Sequence, residues 1–164
     1  MSKILSIIVA VADNNGIGYK NKLLAHISDD LKRFKEITAG STVVMGRNTW
    51  FSLPRRPLPN RHNIVISDIK DESFEGAEAV FSINEAIKKC PENKESFIIG
   101  GAMIYKQFFE KAHKLYITRI LKSFEADTYF PVIEPESWDI EFESDVFKDK
   151  KSDLEFRYIN FIRK

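Results

Sequence analysis

The chain has 164 residues, of which 43% are hydrophobic and 30% charged. This points to one globular domain spanning 1–164 and excludes a disordered or collagen-like polymer. The 25 Lys+Arg almost cancel the 24 Asp+Glu, leaving +1, so no overall charge drives the chain onto nucleic acid or an anionic membrane, and any basic site must be local. A single cysteine, Cys90, cannot close an intramolecular disulfide. With no zinc spacing among Cys and His, no metal is expected, and a reducing, cytoplasmic setting fits.

Lys3 followed by the apolar run Ile4 to Ala12 imitates a short secretory signal, but its Ile and Val content suits a buried strand better. No run reaches the ~18 apolar residues of a membrane span. The stretch from Asp13 to Gly18 is rich in residues that tolerate unusual backbone angles, and a loop follows to about His26. Ser28 is expected to cap a helix to about Thr38, with Asp29 and Asp30 in its first turn. A strand at Thr42 to Met45, a short helix at Thr49 to Leu53, a Pro-rich turn from Pro54 to Pro59 and a strand at Asn63 to Ser67 come next. Ser82-Ile83-Asn84-Glu85 is a capping box whose helix places Ile83, Ala86, Ile87 and Cys90 on one face. A strand at Phe97 to Ile99 meets Gly100-Gly101, and a helix from about Met103 to Phe109 leads to a strand at Leu115 to Ile120. Trp138 to Asp145 and Leu154 to Ile162 form a closing hairpin around the charged turn Lys148 to Asp153. The pattern is α/β.

Three features depart from simple core-building. At about 100° per residue, Ile27, Leu31, Phe34, Ile37 and Thr38 share one arc of the first helix, and Asp30 falls within it, while Asp29, Lys32, Arg33 and Glu36 take the other side. A carboxylate on an apolar stripe is costly and its pKa rises, which suits a proton handler or a cation binder; the alternative is a cap bonded to backbone N–H groups. The stretch from Ile37 to Ser67 has no acid and no lysine but contains Arg47, Arg55, Arg56 and Arg61. Arginine alone favours bidentate recognition of carboxylate or phosphate, and Arg47 should emerge at a strand's carboxyl end, where open α/β sheets bind ligands. The strand ending in Gly100-Gly101-Ala102 lets backbone approach a phosphate, although the full dinucleotide fingerprint is missing there and at Gly16-Ile17-Gly18. His26, His62 and His113 lack metal spacing, and there is no nucleophile elbow.

Taken in order, Asn15-Gly16-Ile17-Gly18, Asp30-Leu31-Lys32-Arg33-Phe34-Lys35, Val44-Met45-Gly46-Arg47-Asn48-Thr49-Trp50, Leu58-Pro59-Asn60-Arg61-His62-Asn63, Ile99-Gly100-Gly101-Ala102-Met103-Ile104-Tyr105 and Asp127-Thr128-Tyr129-Phe130-Pro131 resemble bacterial-type dihydrofolate reductase over essentially the whole chain. The resemblance implies a mixed, mainly parallel eight-stranded sheet flanked by four main helices, with a C-terminal antiparallel hairpin. It also implies hydride transfer from NADPH to C6 of dihydrofolate by a monomer that needs no metal, nucleic acid or membrane. By the same resemblance Asp30 holds the pterin and favours protonation of N5, supported by Thr118. Ile8, Ala10, Phe34 and Ile99 would line the ring pocket, Tyr105 would stand beside the nicotinamide, and Arg61 would clamp the folate carboxylate. Arg47 and Ser67 would hold the cofactor's 2′-phosphate. The rest of the implied cofactor set is Ala10, Ile17, Gly18, Gly46, Asn48, Thr49, Gly100, Gly101, Ala102, Met103, Ile104, Tyr105 and Thr128. Leu23-Leu24-Ala25 replaces the family's usual Leu-Pro-Trp, which implies a less restrained loop, and Asp68 opposes binding of the 2′-phosphate. A related pterin or pyrimidine reductase, or a nucleotide-binding homologue with impaired catalysis, are the other readings.

Overall fold

The computed structural model describes residues 3–164. In chain order its elements are β1 (Ile4–Ala12), β2 (Gly16–Gly18), α1 (Ser28–Thr38), β3 (Thr42–Gly46), α2 (Arg47–Ser52), β4 (His62–Ile66), β5 (Glu78–Val80) and α3 (Ile83–Lys89). They continue with β6 (Glu95–Gly100), α4 (Ala102–Phe108), a 3₁₀ turn (Phe109–Lys111), β7 (Lys114–Ile120), β8 (Thr128–Tyr129), β9 (Trp138–Glu143), β10 (Phe147–Lys148) and β11 (Glu155–Arg163). The chain packs as two compact units: one contains residues through Ile7 and Ile37–Ala112, the other Ile8–Glu36 and His113–Lys164. β1 and α1 each pass from one unit into the other.

In the first unit the order β1-β6-β3-β4-β5 is parallel throughout, with Ile7 opposite Ile98, Val44 opposite Ile98 and Ile64, and Ile66 opposite Val80. These strands read as near-continuous apolar runs because both faces are covered: Val43, Val44, Met45, Ile64, Val65 and Ile98 have no exposed surface. Register matters more than composition for ligand binding. Because Gly46 pairs with Ile66, β3 and β4 end side by side and deliver Arg47 and Ser67 to the same edge.

In the second unit β11 pairs antiparallel with β7, from Ile120–Phe156 to Lys114–Ile162, and β10 and β9 also pair with β11. Ile27, Ile120 and Phe156 form a buried cluster, with Ala10, Ala25, Phe124, Leu154 and Tyr158 packed against it. β2 and β8 make a separate two-stranded ribbon, in which Gly16 faces Tyr129 and Gly18 faces Thr128. Eight strands lie in the main ladder, β9 is an addition on β11, and four helices flank it, so the expected mixed α/β architecture is met.

The differences from the sequence expectations have local causes. α2 begins at Arg47 rather than Thr49, directly on the end of β3. β4 spans His62–Ile66, so Ser67 lies just beyond it. α4 begins at Ala102 and yields to the 3₁₀ turn at Phe109. The closing hairpin contains an extra short strand, β10, before the charged turn. β2, β5 and β8 have only two or three residues each, too few to show an alternating pattern. The capping box of α3 forms as expected, with Ser82 Oγ accepting from the Glu85 N–H at 3.0 Å, but the Glu85 carboxylate reaches past the cap to the Phe81 N–H at 2.9 Å.

Ser28 is the first residue of α1 rather than its cap. Asp149 in the β10–β11 turn accepts the Ser152 hydroxyl at 2.7 Å and the Ser152 N–H at 2.9 Å, and the Ser28 backbone at the start of α1 adds to the pull on its carboxylate. These bonds, the Ser152 hydroxyl first, hold the Asp149 carboxyl below its ordinary 3.8. Its contribution to stability is therefore complete above that value and is lost as pH falls through the lowered one. Asp149→Asn should lower the thermal midpoint by several degrees at neutral pH, and the gap from the parent should close in acid; a gap independent of pH would mean the charge is irrelevant.

Candidate functional site

In the second unit a small recess is lined by Ala10, Ile17, Leu24, Ala25, Leu31 and Ile120, with Asp30 as its carboxylate. Asp30 projects from the first turn of α1, and the Thr118 hydroxyl on β7 donates to its Oδ1. Burial pushes the Asp30 carboxyl above 3.8, while the Thr118 bond and then the Arg33 charge pull it back. A carboxyl so placed can hold or release a proton nearer neutrality than an ordinary aspartate.

Two neighbours on α1 depart from the helical-wheel expectation. Leu31 is 45% exposed because it faces the recess rather than packed core. Arg33 is not on the solvent side: its guanidinium carbon lies 4.0 Å from the centroid of the Tyr158 ring, and Nη2 donates to Asn160 Oδ1 at 3.2 Å. It flanks the apolar arc next to Ile37, so it can snorkel along β11 while keeping its charge. Phe34 is half-buried on α1 and Ile8 is buried in β1; neither lines the recess. Leu24 and Ala25 are half-buried, Leu24 beside Gly16 and Ala25 against the Ile27 cluster.

The loop before α1 is tied to the segment around β8. A Cβ on Gly18 would stand 2.7 Å from Thr128 Oγ1, so a larger residue would force the Thr128 side chain to shift. The Asp127 N–H donates to the Gly18 carbonyl at 3.0 Å, the Lys20 N–H to Asp127 Oδ2 at 2.8 Å, and the Phe130 N–H to the Asn15 carbonyl at 2.9 Å. Gly18 and Thr128 are thus brought together, with Ile17 turned to the recess.

In the first unit the glycines after β6 meet α2. Gly100 has φ +126, which side-chain-bearing residues rarely adopt, and a Cβ there would lie 3.4 Å from both Thr49 Oγ1 and Tyr105 Oη. A Cβ on Gly101 would be 3.5 Å from the same Thr49 oxygen, and one on Gly46 would press to 3.0 Å from Ile104. Gly100 and Gly101 are thus brought together with Thr49, and Gly100 also with Tyr105, while Gly46 packs against Ile104. Ala102 and Ile99 are half-buried beside them, while Asn48 and Met103 are exposed.

Arg61 Nε donates to the Pro59 carbonyl at 2.9 Å and Nη1 to Thr38 Oγ1 at 3.0 Å. Two of its five donors therefore fix the plane of the fork. Arg47 and Ser67 converge as the ends of β3 and β4 dictate, but on a residue the sequence reading missed. Glu72 takes Arg47 Nε at 3.0 Å and Nη2 at 2.9 Å, and the Ser67 hydroxyl also donates to it. The acidic turn Asp68-Ile69-Lys70-Asp71-Glu72, directly after Ser67, was the available signal.

Fold and site together define an α/β oxidoreductase. A family model described as dihydrofolate reductase matches residues 4–163, and the chain belongs to the dihydrofolate reductase family. It is 37% identical over 160 residues to dihydrofolate reductase of Bacillus subtilis, covering 98% of this chain and 95% of the relative. It is 45% identical over 134 residues to that of Neisseria gonorrhoeae, covering 82% and 83%. A solved dihydrofolate reductase from Enterococcus faecalis, complexed with NADP(H) and RAB-propyl, superposes with a TM-score of 0.89 at 33% identity over 98% of this chain and 96% of that one. No helix among the described residues is long and apolar enough to cross a membrane.

Proposed function

We propose that the chain reduces 7,8-dihydrofolate to 5,6,7,8-tetrahydrofolate with NADPH, acting as a single-domain monomer in the cytoplasm. The observation that carries this reading is Asp30, a carboxylate bonded to Thr118 inside an apolar recess in a chain of this family. The donors fit the cofactor. Bare backbone at Gly100 and Gly101 lies beside the Thr49 hydroxyl, and Arg47 with Ser67 already grips an anion.

When bound, NADPH supplies the hydride that reduces pterin C6. Asp30 accepts hydrogen bonds from the 2-amino group and N3, and its negative charge favours the proton that N5 takes up from water. One hydride and one proton then complete the reduction. Thr118 holds the reacting face of Asp30 through Oδ1. By the family resemblance Ala10, Ile8, Phe34 and Ile99 would border the ring, although of these only Ala10 lines the recess itself, and Arg61 grips the folate carboxylate through its oriented fork. Thr49, Gly100, Gly101, Ala102, Gly46 and Tyr105 would bind the diphosphate and nicotinamide portions, and the family resemblance assigns Ile17, Gly18 and Thr128 to the cofactor as well. Asn48, Met103 and Ile104 complete the cofactor contacts, and Arg47 with Ser67 takes the 2′-phosphate.

Spectrophotometric consumption of NADPH that depends on dihydrofolate tests the reading. Binding of NADPH without turnover would favour a homologue with impaired catalysis. Turnover of another pterin or a pyrimidine, with none of dihydrofolate, would favour a related reductase.

A further inference from the structure

The pairing of Arg47 with Glu72 is built rather than incidental. β3 and β4 end in register, so Arg47 and Ser67 start from adjacent positions. The chain then turns back at once: Ser67 Oγ accepts the Ile69 N–H at 3.0 Å, the Glu72 N–H donates to the Ile69 carbonyl at 3.2 Å, and Asp71 adopts φ +63. This turn presents the Glu72 carboxylate to both donors. Arg47 is gripped bidentately and Ser67 donates to the same oxygen that takes Arg47 Nε. A phosphate monoester would recruit these same three donors, because it offers the same planar pair of acceptors to the fork and a third to the hydroxyl. The Arg47 bond, then the Ser67 bond, hold the Glu72 carboxyl below its ordinary range, so it is an anion at neutral pH.

We infer that Glu72 is an internal stand-in for the cofactor's 2′-phosphate and thereby sets the margin by which the chain prefers NADPH over NADH. The inference rests on the reading of Arg47 and Ser67 as holders of that phosphate. NADPH must displace Glu72 before it can use Arg47, so its apparent affinity is lowered by the fraction of chains in which the arginine is free. The phosphate still wins, since it brings more charge and a third acceptor. NADH has no phosphate to place there and gains nothing from the displacement. The residue that opposes NADPH through direct contact with Arg47 is therefore Glu72, not Asp68.

Fluorescence titration of NADPH and of NADH into the parent chain, Glu72→Gln, Arg47→Ala and the double variant tests this without requiring turnover. Glutamine keeps the reach and removes the charge. Glu72→Gln should tighten NADPH by about tenfold and leave NADH nearly unchanged, and the gain should vanish when Arg47 is also alanine. Unchanged or weaker NADPH binding in Glu72→Gln, or equal tightening of both cofactors, would overturn the inference. If at the same time Arg47→Ala still weakened NADPH selectively, the assignment of Arg47 to the phosphate would stand. Should Arg47→Ala weaken both cofactors equally, that assignment itself would fall, and this inference with it.

Discussion

Asp30→Asn should fold, melt at a higher temperature than the parent at neutral pH, and lose about 10² to 10⁴ in turnover, the usual contribution of a positioned acid–base group. The two effects have one cause. Burial raises the Asp30 carboxyl above 3.8, so what this group adds to stability is present below 3.8 and disappears as pH rises through the raised value. At neutral pH the charged form is a burden on the ligand-free fold. Asparagine removes that burden while keeping an oxygen for the Thr118 hydroxyl, which now donates to Oδ1. It cannot supply the charge that draws a proton to N5, so the deficit should narrow in acid, where solvent protonates the substrate directly. Thermal melts and turnover measured across pH check both halves. Near-parental turnover at pH 7 would remove Asp30 from the chemistry, and a lower melting temperature would mean that the carboxylate is better paired than its burial suggests.

Arg61→Ala should weaken dihydrofolate by roughly 2 to 3 kcal/mol, or about 30- to 150-fold in KM, with a much smaller effect on a substrate lacking the glutamate tail. The fork is already oriented by Pro59 and Thr38, so little ordering remains to be done when a carboxylate arrives. Arg61→Lys should recover only part of the loss, because an ammonium cannot reproduce the two parallel bonds. Comparing KM for full-length and truncated substrates in both variants is the check. Equal losses on the two substrates would show that Arg61 serves the fold through Thr38 rather than the ligand.

How far the sequence could be read depended on the range of the interaction behind each feature. β1 has the bounds expected from its apolar run because a strand of nine such residues needs no outside information. Asp30 was marked by its position on the helical arc, and a half-buried carboxylate is what the fold contains. Arg33 was misplaced because a wheel assigns a side by angle alone, whereas its long stem bends toward Tyr158 on a strand more than a hundred residues away. Local grounds make Ser28 the cap of α1, whereas the helix already begins at Ser28, whose backbone acts on the Asp149 carboxylate of the last hairpin. Glu72 was missed for the same reason: its partner Arg47 lies 25 residues earlier and becomes a neighbour only once β3 and β4 pair. Patterns along one element are visible in sequence; side chains that meet because two elements pair are not.

The β2–β8 ribbon joins three residues to two and hydrogen-bonds to no strand of the main sheet. An isolated ribbon of this size is at the edge of persistence in water. Its cooperativity is therefore its own: parting Gly18 from Thr128 breaks a few backbone bonds and leaves the Ile27 cluster and the β7–β11 ladder intact. Such sub-global openings require only a small part of the free energy of complete unfolding. Hydrogen exchange should therefore show the amides of Gly18 and Asp127 opening at a lower free energy than those of the β7–β11 ladder, so the wall of the recess that carries Ile17 yields before the core does.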